Sequence, residues 1–181
     1  MRIIAGEWRG RPLSGPDGMA TRPTADRVRE TLFSMLASRL GAFSDLRVAD
    51  LYAGSGALGL EALSRGAAFA CFVDQDPRAL AALKANIAKL GAADVSQVLA
   101  RSVAALPKAE PFDLVLADPP YAPGSGTEAL RHIIASGWAG AGSWIVIETE
   151  RGEAVDAGSC MMEAERDVGR ARLSFLRTAT A

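Results

Sequence analysis

The chain has 181 residues, enough for one domain with a sizeable core. It is 49% hydrophobic and 23% charged, which excludes a disordered or fibrous protein and fits a soluble globular one. The net charge of −1 does not advertise a polyanion partner, but residues 1–40 hold seven arginines against four acids, a balance of +3 that leaves −4 on the rest.

Residues 2–13, RIIAGEWRGRPL, read as two short extended pieces around a Gly-containing turn, a small β-hairpin. With the Gly/Pro-rich loop that follows, the hairpin forms an N-terminal extension over residues 1–20. Residues 21–181 form the catalytic core of the same single domain. Thr24 is a plausible N-cap, and Asp26 falls in the first turn, where a helix favours an anion. The helix TADRVRETLFSMLASRL lines up Val28, Leu32, Met35, Leu36 and Leu40 on one face, and Gly41 ends it.

From Arg47 onward strands and helices alternate. RVADLY is strand-like, and GALGLEALSRG is a helix closed by Gly66. AAFACFVD is an apolar strand, and DPRALAALKANIAKLG a helix with Pro77 at its start and Gly91 at its end. DVSQVLA and FDLVLAD are strands, TEALRHIIASG a helix and SWIVIETE a further strand. SCMMEAERD and GRARLSFLR close the chain as two more. Repeated βα units with near-continuous apolar strands imply a doubly covered, mostly parallel sheet of Rossmann-like α/β type, and the closing pair adds an antiparallel edge.

Several chemistries drop out. Cys71 lies in an apolar run and reads as a small buried hydrophobe; with Cys160 it gives neither a disulfide framework nor metal-ligand spacing. His132 is the only histidine, so a zinc site or a Ser-His-Asp triad is not expected. MRIIAGEWRG lacks the apolar core of a signal peptide, and the uncharged run from His132 to Ile147 is short for a membrane span and broken by glycines. A cytoplasmic protein is expected, and nothing demands more than a monomer.

Gly54, Gly56 and Gly59 spell G-x-G-x-x-G between a strand and a helix, the context that motif requires. Asp74 ends the next strand 20 residues after Gly54, placed to accept from ribose hydroxyls. Asp76, just before Pro77, looks like a helix cap. The loop alone fits NAD and S-adenosylmethionine (SAM) equally. A pyrophosphate wants backbone N–H groups. The amino acid tail of SAM brings an ammonium group, for which Asp50 is a candidate partner; its other reading is a residue that orders the loop.

ADPPY, ending at Tyr121, separates the two. A hydride-transfer site needs no acid-Pro-Pro-aromatic turn, whereas methylation of an exocyclic amine does. Such an amine is a poor nucleophile because its lone pair is delocalised into the ring. A carboxylate (Asp118) and a backbone carbonyl (that of Pro119) accepting its two N–H bonds favour a tetrahedral nitrogen with a free lone pair. Pro119 and Pro120 fix φ near about −65° and donate no N–H of their own, so the turn is stiff. Tyr121 can stack on a planar base.

With these residues the chain resembles the RsmD family of bacterial 16S rRNA (guanine-N2) methyltransferases over nearly its whole length. RIIAGEWRGRPL looks like that family's N-terminal hairpin, and RPTADRVRETLFSML like its RPT-x-DRVRE-x-LF segment. DLYAGSGALGLEALSRGA is similar to its SAM-binding loop and ADPPY to its amine-methylation motif. The RPT-x-DRVRE segment discriminates best, because the last two motifs are shared among SAM enzymes. The resemblance implies a class I SAM-dependent methyltransferase fold with a seven-stranded sheet. It implies methyl transfer from SAM to N2 of a guanine in small-subunit rRNA, conventionally numbered 966. It places Asp50, Tyr52, Ala53, Gly54, Ser55 and Gly56 on the methionine side, Asp74 and Gln75 at the ribose, and Thr24 and Arg27 in a segment closing over the cofactor. Asp118, Pro119, Pro120 and Tyr121 match the catalytic turn. Ser102 stands where an acid or Asn commonly contacts adenine; it can still hydrogen-bond, and the Val103 backbone can carry that contact.

The chain is too short for a separate target-recognition domain. The guanine must therefore be splayed out of folded RNA, with recognition resting on RNA shape and on phosphate contacts from Arg2, Arg9, Arg11 and Arg22. Trp8 can stack on a base or simply pack the hairpin. Methylation of adenine N6 in RNA or DNA, an NAD-dependent oxidoreductase, and an rRNA-binding assembly factor with a vestigial site remain as alternatives.

Overall fold

The computed structural model describes residues 1–16 and 23–181. Helix α1 (Pro23–Leu40) carries Asp26 in its first turn and Arg39 in its last, each matching the helix dipole. It starts at Pro23, where a missing N–H is harmless, so Thr24 sits inside the helix and is not its cap. The Thr24 side chain lies outside the described residues. Val28, Leu32 and Leu36 are buried as their spacing requires; Phe33 is fully buried as well, because the helix packs more broadly than a single stripe.

The seven strands are β1 (Arg47–Leu51), β2 (Phe69–Asp74), β3 (Ser96–Ala100), β4 (Phe112–Ala117), β5 (Ala139–Glu150), β6 (Met161–Val168) and β7 (Ala171–Arg177). They form one sheet in the order β3-β2-β1-β4-β5-β7-β6. The pairings from β3 to β5 are parallel. β7 runs antiparallel to both β5 and β6, giving the expected antiparallel edge. Between β1 and β4 the chain order reverses, and in an open α/β sheet the crevice for ligands forms beyond the strand ends at that point.

Helices α2 (Ala57–Ser64), α3 (Pro77–Leu90) and α4 (Ser125–Ser136) complete the layers. Side chains alternate along the strands. In β1, Val48 joins a cluster containing Leu32 of α1, Leu60 of α2 and Leu83 of α3. The next residue, Ala49, joins the opposite cluster with Leu130 and Ile133 of α4 and with Trp138. Burial on both faces is why these strands read as unbroken apolar runs. Cys71 lies in the second cluster as a buried thiol. Asp76 caps α3 by accepting from the Arg78 N–H, and Gly91 closes that helix. No helix among the described residues is long and apolar enough to cross a membrane.

The N-terminal segment folds back on itself as a short hairpin, in which the Gly10 N–H donates to the Ile3 carbonyl at 2.8 Å and the Leu13 N–H to the Met1 carbonyl at 2.9 Å. A single antiparallel bridge joins Arg2 to Pro12, and the Ile3 N–H donates to the Arg11 carbonyl at 3.0 Å. Pro12 has no N–H to extend a ladder. Side chains of the core hold the segment as well. Glu61 of α2 accepts from the Ile4 and Ala5 N–H groups at 2.8 and 3.0 Å. The Ser64 hydroxyl accepts from the Trp8 N–H and donates to the Ala5 carbonyl. Asn86 of α3 accepts from the Ser14 N–H and donates to the carbonyls of Ser14 and Ser55.

Candidate active site

The crevice at the carboxyl ends of β1 and β4 has two lobes, of about 630 and 250 Å³. Tyr52, Gly54, Asp118 and Glu148 line both and mark where they meet. The glycine loop is shaped by close approach. Gly56 has φ +83°, and a Cβ there meets Leu83 Cδ1 at 2.4 Å. A Cβ on Gly59 lies 2.4 Å from the Phe72 ring, so only glycine lets α2 sit this close to β2. Gly56 thus starts the helix and lines neither lobe, whereas Gly54 lines both. Tyr52 has φ 58°, an uncommon conformation for a residue with a side chain, as it leaves β1 for the loop.

In the larger lobe, Asp74 uses both carboxylate oxygens. Oδ2 accepts from the Gly54 N–H at 2.8 Å and Oδ1 from the Asp76 N–H at 2.9 Å. Gln75, Ser102 and Val103 line the same lobe. The Ser102 hydroxyl is partly committed, since it accepts from the Ala104 N–H at 3.2 Å to cap a short 3-10 turn.

Asp50, Ala53 and Ser55 line the smaller lobe. Asp50 is 1% exposed. Its Oδ2 accepts from the Gly59 N–H at 2.8 Å, while its Oδ1 is buried with no partner. Burial pushes the Asp50 carboxyl well above the usual range; the Gly59 N–H opposes this, and the Asp118 and Asp74 charges add to it. A buried, half-satisfied carboxylate lining a cavity is a receptor for a cationic donor. It is equally a poor neighbour for a phosphate.

Asp118, Pro119, Pro120 and Tyr121 line the larger lobe together. Asp118 is open to solvent along the crevice mouth, yet its carboxyl group is ringed by crevice wall. That desolvation, with the neighbouring Glu148 charge, holds it above the ordinary carboxylate range. Among the described residues no hydrogen bond ends on the Pro119 carbonyl, so it remains available as an acceptor. The Tyr121 hydroxyl donates to Glu148 Oε1 at 2.7 Å, and the residue is 43% exposed.

A family model described as "Conserved hypothetical protein 95" matches residues 1–177. The Ribosomal RNA small subunit methyltransferase D of Escherichia coli is 42% identical over 151 residues, covering 83% of this chain and 75% of that one. The chain belongs to the RsmD family. The solved structure of Escherichia coli yhhF superposes with TM-score 0.84 at 36% identity, covering 100% of this chain and 99% of that one. The N-methyltransferase NodS of Bradyrhizobium japonicum, solved with S-adenosyl-L-homocysteine, has TM-score 0.67 at 14% identity over 87% of this chain and 88% of that one, a likeness of fold alone. The fold is that of class I methyltransferases, as the motif order implied.

Within this RsmD-family crevice Arg27, like Gly56, lines neither lobe. Arg27 is exposed and lines an outer groove with Glu30, Thr31 and Arg166. Arg29 lines the smaller lobe in its place. Two positions along a helix rotate by about 200°, so these two arginines face opposite ways. Arg29 is 4% exposed, donates to Asp26 Oδ1 at 3.0 Å and to the Arg2 carbonyl at 2.6 Å, and has its Nε 3.9 Å from Glu61. Arg2, Arg9 and Arg11 are exposed on the N-terminal segment, and Arg22 lies outside the described residues. Trp8 packs against the core cluster, which favours the packing reading over stacking on a base. Glu148 is the residue that the sequence did not single out; its signal is an acid interrupting the apolar run of β5.

Proposed function

We propose that this protein methylates the exocyclic N2 amine of a guanine in 16S rRNA of the small ribosomal subunit, the position conventionally numbered 966, with SAM as methyl donor. One observation carries the reading. The Asp118-Pro119-Pro120-Tyr121 turn and the orphaned oxygen of Asp50 share one crevice, joined by Tyr52, Gly54 and Glu148. The name of the Escherichia coli relative supports the rRNA substrate, and the ligand of NodS supports the donor.

Asp50 Oδ1 offers the SAM ammonium its missing partner, and Arg29 stands in the same lobe for the carboxylate. Asp74 keeps lone pairs on both oxygens for ribose hydroxyls, already oriented by the Gly54 and Asp76 N–H groups. Gln75, Ser102 and Val103 are left to border the adenosine. SAM, when bound, supplies an electrophilic methyl group on a sulfonium centre. Asp118 and the Pro119 carbonyl accept the two N–H bonds of the target amine and free its lone pair. The amine proton becomes acidic only once the methyl has arrived, so Asp118 need not be a strong base. Tyr121 supports the base from its face. Arg2, Arg9 and Arg11 supply phosphate contacts that position the RNA.

Tritiated SAM offered to small subunits from a strain lacking this protein tests the reading. Label is expected on a single guanine, at N2. Label on an adenine or on protein overturns it, and binding of NAD instead of SAM in a calorimeter overturns the donor. Asp50→Asn separates binding from folding. It is expected to weaken SAM binding about 10- to 100-fold, the loss of a charge-assisted hydrogen bond. The cofactor-free variant should be at least as stable as the parent at neutral pH. The folded state raises the Asp50 carboxyl above its unfolded value, so the protonated acid supports folding at low pH and that support is lost as pH rises through the folded value. Asparagine never ionises and avoids this penalty.

A further inference from the structure

We infer that Glu148 reads the Watson–Crick edge of the target base and selects guanine over adenine. The inference deepens the proposed function and rests on Asp118 as the acceptor at N2. β4 and β5 are parallel neighbours, with Ala117 paired to Ile147. The next residue on each strand is Asp118 and Glu148, so two carboxylates leave adjacent strands at the same level. Both line the junction of the two lobes. Among the described residues, neither forms an ion pair.

Side-by-side carboxylates with no cation between them repel, so the pair is suited to a ligand that brings two adjacent donors. Guanine does so, with N1–H beside the N2 amine. Adenine sets its N6 amine beside N1, a lone pair that would face a carboxylate. Asp118 at the amine and Glu148 at N1 therefore match one purine and repel the other. The Tyr121 hydroxyl is bonded to Glu148 Oε1, and Oε2 is left without a hydrogen bond among the described residues. A site built to bond a donor discriminates strongly against an analogue lacking it, because its own polar group is left unpaired.

Small subunits reconstituted with rRNA carrying guanine or 2-aminopurine at the labelled position test this. 2-Aminopurine keeps the 2-amino group, but its N1 accepts where that of guanine donates. The parent enzyme should prefer guanine about 100-fold or more in kcat/KM. Glu148→Gln keeps a carbonyl for the Tyr121 hydroxyl and turns an amide N–H toward N1, so the preference should fall about tenfold or more, with 2-aminopurine gaining in absolute rate. Tyr121→Phe breaks only the tyrosine–glutamate bond and should leave the preference in place. Equal use of both bases by the parent enzyme overturns the inference without any variant. So does a Glu148→Gln enzyme that loses rate equally on both bases, or a Tyr121→Phe enzyme that loses the preference; Glu148 would then act only by holding Tyr121. Failure of the parent enzyme to label guanine at all is a different result and removes the proposed function itself.

Discussion

Asp118→Ala is expected to lower kcat by about 100- to 1,000-fold, the effect of losing one preorganised acceptor at a developing charge. Its SAM dissociation constant should stay within about threefold of the parent value. In the proposed arrangement Asp50 and Asp74 hold the donor, and Asp118 faces the amine. Removing the Asp118 charge also removes one of the neighbouring charges that push the Asp50 carboxyl upward, so the binding lobe is not weakened. Single-turnover kinetics beside calorimetry separate the two effects. Lost SAM affinity would move Asp118 into the cofactor site. Undiminished support of subunit maturation by a methylation-dead variant would point to an assembly factor instead of a catalyst.

Glu61→Ala should be the most damaging change to stability away from the crevice, by about 3–5 kcal/mol. Glu61 is fully buried, and four groups converge on it. Two are the N–H groups of Ile4 and Ala5; the third is Arg65, whose Nε donates at 2.9 Å. The fourth is Arg29, itself buried and held below its ordinary range by desolvation, with Glu61 the largest opposing influence. Alanine leaves a buried guanidinium with Asp26 as its remaining acid and two backbone donors unpaired. Urea unfolding monitored by circular dichroism measures the loss. A change below about 1 kcal/mol would mean water replaces the carboxylate, and that the N-terminal segment is not anchored there.

Much of the fold was legible because its signals are local. Apolar runs marked the strands, while Pro77, Gly91 and Gly41 punctuated the helices. The crevice followed from chain order, since β1 and β4 must adjoin for Asp118 to face the glycine loop. What escaped was long-range or rotational. Nothing near Glu61, Ser64 or Asn86 signals a partner 56 to 72 residues earlier in the chain. In the Arg-Val-Arg of α1 both arginines look alike until the helix phase is known. Glu148 became meaningful only when its strand was placed beside that of Asp118.

The reliance of residues 1–14 on Glu61, Ser64 and Asn86 also bears on how the chain is made. During synthesis this stretch precedes α2 and α3, which carry those partners. Its partners follow only after α2 and α3 have been translated, and domains generally fold as units. The arginines of this stretch, Arg2, Arg9 and Arg11, therefore reach their final places only once α2 and α3 have formed.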